Sequence, residues 1–65
     1  MMSGMIIPKY KIDDRVYYNL AEGEEGIVLD ICYYYASKQF SYLIGLDFVT
    51  KVWVFEKEIS DEKQY

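Results

Sequence analysis

Few side chains in this sequence are suited to covalent or acid–base chemistry. Cys32 is the one cysteine, and the 65 residues contain no histidine. A thiol or hydroxyl nucleophile is activated by a neighbouring base, most often an imidazole, so Cys–His and Ser-His-Asp arrangements are excluded. One thiol closes no internal disulfide, and it falls far short of the four Cys or His ligands of a structural zinc site. Cys32 therefore reads as a buried structural thiol. Carboxylates are more plentiful, at Asp13-Asp14 and at Glu22, Glu24 and Glu25. Their oxygens suit calcium or magnesium, but the spacing is not that of an EF-hand loop. They read as solvated turns that could steer a basic partner surface. No glycine-rich phosphate loop is present. No catalytic residue, metal site or cofactor is expected.

Aromatic side chains are the chemistry this chain has in quantity. Eight tyrosines, three phenylalanines and one tryptophan make 18% of the sequence aromatic. Such rings give large, rigid contact area at low entropic cost and are enriched at interaction hot spots. Tyr33-Tyr34-Tyr35 is the most unusual run: in a strand, Tyr33 and Tyr35 share a face and Tyr34 takes the other. Trp53 and Phe55 alternate with Val52 and Val54, so one pair faces a core and the other faces out. Tyr17, Tyr33, Tyr35, Trp53 and Phe55 are the candidate partner-binding residues. The same five could in principle form an aromatic cage for a methylated ammonium group. Against this stands plain packing, with the phenol tips reaching water or Trp53 capping the core.

The elements that must position these rings read as strands. Val, Ile, Tyr and Phe dominate the apolar runs, and all are better strand than helix formers. Residues 1–9 read as a flexible leader with Gly4 and Pro8 as breakers and with Met1, Met2 and Met5 as alternative starts. Arg15 to Leu20 is a first strand, followed by a polar loop over Ala21–Gly26. Gly26 to about Ala36 is a second strand, long enough to need a bend or bulge near Leu29-Asp30. Ala36–Gln39 is a hairpin loop. Phe40 to Phe48 is a third strand, with Tyr42, Ile44, Leu46 and Phe48 on one face. Val52 to Glu56 is a fourth. Lys57 to Ile59 makes a single helical turn or a last short strand, and Phe55 to Lys63 has an alternative reading as a surface helix. Residues 61–65 form a charged tail. The expected core is Val16, Val28, Ile31, Ile44, Leu46, Val54 and Ile59.

The order Tyr10-x-Ile12-x-Asp14-x-Val16, Gly26-x-Val28-x-x-Ile31, Tyr42-x-Ile44 and Val54-x-Glu56-x-Glu58-Ile59 resembles the small SH3-like barrel proteins. These include KOW-like and Tudor-like modules and many short proteins of phages and mobile elements. The resemblance covers residues 10–60. It implies an all-β, five-stranded SH3-like barrel with a short 3₁₀ or helical turn near the C-terminus, and it is nearly silent on function. The chain departs from nucleic-acid-binding members in lacking their basic loops.

The formal net charge of −4 opposes phosphate backbones. Nucleic-acid or ribosome binding would require Lys9, Lys11, Arg15, Lys38 and Lys51 to converge. No apolar run reaches the roughly 20 residues of a membrane span, and the start lacks the basic region of a signal peptide. The expectation is a cytoplasmic, non-enzymatic module that binds another protein, with a phage accessory protein acting on a host target as one form of it. A homodimer is the remaining option, because a small domain without disulfide or metal gains stability by association.

Overall fold

The computed structural model describes residues 7–19 and 24–61. Five strands form: β1 (Arg15–Tyr18), β2 (Glu24–Tyr34), β3 (Gln39–Gly45), β4 (Lys51–Phe55) and β5 (Ile59–Ser60). A 3₁₀ turn over Glu56–Glu58 joins β4 to β5. All pairings are antiparallel, in one sheet of order β4-β3-β2-β1-β5.

Local chemistry sets where the strands begin and end. Before β1, Asp13 adopts a φ of 77°. There its N–H reaches the Val28 carbonyl at 2.8 Å, and Val28 N–H returns to the Asp14 carbonyl at 2.9 Å. The Asp14 carboxylate also accepts the Lys11 N–H at 2.9 Å, closing the turn. Asp is among the non-glycine residues that adopt this left-handed backbone most readily. Strand β2 carries the bulge its length called for: register shifts between Val28 and Asp30, leaving Leu29 as the extra residue. The β2–β3 turn closes through Lys38 N–H to the Tyr34 carbonyl at 2.8 Å, with Lys38 itself at φ 57°. At the end of β4, Phe55 N–H donates to the Glu58 carboxylate at 2.8 Å, which starts the 3₁₀ turn.

One side of the sheet holds the core. Val16, Val28, Tyr42, Ile44, Val54 and Ile59 are buried there together with Tyr10. Register explains the set: Val28 faces Ile44, Ile31 faces Tyr42, and Tyr42 faces Val54. Gly26 lies on the same side, where a Cβ would run into the Ile44 side chain.

Several expectations need correcting. Ile31 and Leu46 pack against the core but are only partly buried, and Tyr10 and Tyr42 enter it. Phe48 is not on the core face: β3 stops at Gly45, and Phe48 is fully exposed. The reason is local, since Leu46 N–H turns to bond the Thr50 carbonyl at 2.9 Å and leaves the ladder. Cys32 is half-buried. A 3₁₀ turn and β5 replace the surface helix over the described part of Phe55–Lys63. The five antiparallel strands are as expected, but the sheet is not closed into a barrel: β4 and β5 form its two edges. Leu20 and the loop residues 21–23, with residues 1–6 of the expected leader and 62–65 of the expected tail, lie outside the described residues.

Candidate functional site

A sheet with one buried face normally alternates apolar-in and polar-out. Strands β2 to β4 depart from this on their outward face. Register places Cys32, Ser41 and Phe55 in one row there, and Asp30, Leu43 and Trp53 in the next. Ile27, Gly45 and Lys51 form a third row, and Tyr34 stands opposite Gln39 at the other end.

The placement of Trp53 and Phe55 follows from their neighbours. Val54 is buried and Val52 packs against the core, so period-2 alternation turns Trp53 and Phe55 outward. Trp53 is 52% exposed, Tyr34 44% and Phe55 38%. The Tyr34 and Phe55 rings meet across β3, with centroids 5.9 Å apart. Between their strands lies Ser41, buried although it is on the outward face. Trp53 stands beside Leu43 as its cross-strand partner.

The five sequence-predicted residues fall into three places. Trp53 and Phe55 come together on the outward face. Tyr33 instead pairs with Phe40 at a centroid distance of 4.8 Å, and Tyr35 packs edge-on against Tyr33 at 5.1 Å. Tyr35 is 82% exposed in the β2–β3 turn. Tyr17 is half-buried on β1, between Glu25 and Ser60, three strands away from β4. These rings therefore do not form one cage. Tyr34 is the residue the sequence reading left out. Its signal was its position in the period-2 pattern: it must oppose Tyr33, and Tyr33 follows the core side.

Two clefts flank the patch. One, of about 340 Å³, lies between the β2–β3 turn and the 3₁₀ turn, with Phe40 and Phe55 beside Lys38, Glu56 and Lys57. The other, of about 550 Å³, lies at the opposite end beside the β3–β4 loop. Among the described residues no cluster of three or more Cys, Asp or Glu side chains could hold a metal ion.

Two of the five cations that a nucleic-acid surface would need are engaged elsewhere. Arg15 is paired with Glu25 at 2.6 Å, and the Lys9 ammonium sits 5.4 Å from the Tyr10 ring centroid. Lys38 adjoins the start of β3 and Lys51 pairs with its end. That length of strand separates them by roughly 20 Å.

No family model, curated protein or solved structure matches this chain.

Proposed function

We propose that this chain is a non-enzymatic protein-interaction module built on an SH3-like small-barrel plan. The strand order, with a 3₁₀ turn leading into a last strand that pairs with the first, supports that plan. The observation that carries the function is the outward aromatic group of Tyr34, Trp53 and Phe55, standing on Leu43 and Ser41. Exposed aromatics grouped on a rigid sheet are typical of partner surfaces. Asp30, Lys51 and Gln39 supply a polar rim. The chain has no histidine for nucleophile activation, which supports binding over catalysis.

Affinity capture from lysate of the native cell tests this, with the wild-type chain and Trp53→Ala as baits. A protein retained by the wild type, lost with the folded variant and bound again when purified supports the reading. Identical capture by both baits, with Trp53→Ala still folded, overturns it.

A further inference from the structure

We infer that the cleft between the β2–β3 turn and the 3₁₀ turn takes an acidic segment of a partner protein, with an apolar side chain seated against Phe40 and Phe55 and flanking carboxylates on Lys38 and Lys57. This deepens the interaction reading and rests on it, because Phe55 belongs both to the cleft and to the outward aromatic group.

The cleft opens where β4 leaves β3. The last pair of that ladder is Ser41 with Phe55, and β3 extends past it through Phe40 and Gln39. Beyond Phe55 the chain turns off through Glu56–Glu58 to β5. The space so left is about 340 Å³, and its apolar surface comes from Phe40 and Phe55. That is the small end of the range for ligand sites, and it suits a side chain or two of an extended segment.

Charge specifies the occupant further. Lys38, Lys57 and Glu56 line the cleft, two cations against one carboxylate, although the whole chain carries −4. The carboxylates on either side of Lys57 are committed to other donors. Glu56 accepts the Tyr42 hydroxyl at 2.8 Å, and Glu58 accepts the Phe55 N–H at 2.8 Å. Among the described residues neither Lys38 nor Lys57 has an ion-pair partner, and both are exposed. Each is placed by its backbone. Lys38 closes the β2–β3 turn through its N–H to the Tyr34 carbonyl at 2.8 Å, and Lys57 is the middle residue of the 3₁₀ turn. One unpaired ammonium group from each turn, with phenyl surface between them, complements carboxylates on either side of an apolar residue. A basic segment would meet like charge from both turns.

Heteronuclear NMR of the full chain, titrated with short synthetic peptides blocked at both ends, tests it. The probe is one phenylalanine flanked on each side by two glutamates. It should shift the amide resonances of Lys38, Gln39, Phe40 and Lys57 saturably, and less tightly as salt rises. Alanine in place of the peptide's phenylalanine should weaken binding by roughly 5-fold or more. Lys38→Glu and Lys57→Glu in the protein should each weaken it by roughly 3-fold or more. Both variants should keep the wild-type thermal midpoint, because the two side chains are exposed. Trp53→Ala should bind the peptide as the wild type does, since Trp53 does not line the cleft. Absence of a saturable shift at these residues, or equal binding of a peptide with lysines for glutamates, overturns the inference. An equal response to inorganic phosphate also overturns it, by making the cleft a site for any small anion. A captured partner that Trp53→Ala loses and Lys57→Glu retains upholds the interaction surface while removing this cleft from it.

Discussion

The Tyr42 hydroxyl, on a ring with no solvent exposure, donates a 2.8 Å hydrogen bond to the Glu56 carboxylate. The same oxygen accepts the Lys9 N–H at 3.0 Å and, more weakly, the Tyr10 N–H at 3.5 Å. One buried oxygen thus ties β3 to the 3₁₀ turn and to the segment entering the sheet. Tyr10 packs edge-on against Tyr42 at 5.4 Å, yet its own buried hydroxyl has no hydrogen-bond partner among the described residues.

These two tyrosines should respond oppositely to loss of the hydroxyl. Tyr42→Phe strands a backbone N–H and a carboxylate, and should destabilise the fold by about 1–3 kcal/mol. Tyr10→Phe removes an unsatisfied polar atom and should be neutral or slightly stabilising. Urea denaturation of the two variants, at equal m-value, checks the contrast.

Burial, then the Glu56 carboxylate beside it, raises the Tyr42 pKa from 10.0 to about 12. A group whose pKa is higher in the folded state gives stability that is complete below its unfolded pKa. That stability is lost as pH rises toward and through the folded value. The loss should therefore begin near pH 10 and run to about pH 12, amounting to at most about 2–3 kcal/mol. Subtracting the stability of Tyr42→Phe from that of the wild type across this range isolates it. A difference that stays flat would show that the phenol does not govern the alkaline limb.

Gly26 and Gly45 should differ when each is changed to alanine. A Cβ on Gly26 collides with Ile44, which is fully buried and cannot move aside. Overpacking of this kind costs about 1–3 kcal/mol. At Gly45 the nearest atom is Leu29 Cδ1 at 2.9 Å, the end of a flexible side chain that is 39% exposed. Leu29 can turn away, and alanine restrains the unfolded chain by about 0.4–1 kcal/mol, so Gly45→Ala should be near neutral. Thermal melts of both variants decide this.

Much of the sheet was legible in the residues because its determinants are local. The length of the second β-forming run pointed to a bend or bulge near Leu29-Asp30, and the register shifts between Val28 and Asp30. Alternation likewise sets Val52 and Val54 against Trp53 and Phe55, but it does not say which pair faces the core; the burial of Val54 decides that. Legibility ended where a side chain redirects the backbone. The Asp47 carboxylate accepts the Val49 and Thr50 N–H groups and ends β3 early, and apolar alternation through Leu46 gives no sign that Phe48 leaves the pattern. Tyr10 and Tyr42 were missed as core because composition treats a phenol as half polar. Whether it is satisfied depends on Glu56, which pairs with Tyr42 from fourteen residues away. The splitting of Tyr33 and Tyr35 from Trp53 and Phe55 likewise depends on cross-strand register, which one strand alone does not set.

Adjacent residues on β4 should separate surface from core. Val54 is 2% exposed and faces Tyr42, so Val54→Ala should cost about 2–3 kcal/mol through lost burial and the cavity left behind. Trp53 is 52% exposed and stands across from Leu43, a pair of a kind worth about 0.2–1 kcal/mol. Trp53→Ala should therefore cost clearly less than Val54→Ala, although it removes the larger side chain. As the one tryptophan in the chain, Trp53 also reports its own environment by fluorescence. Its emission in the free protein should be that of a wet indole and should change little on unfolding. A purified partner that covers the outward face should shift it to the blue. A blue-shifted free protein, or a Trp53→Ala variant that unfolds as readily as Val54→Ala, would put the indole in the core and remove the basis for an interaction surface on β4.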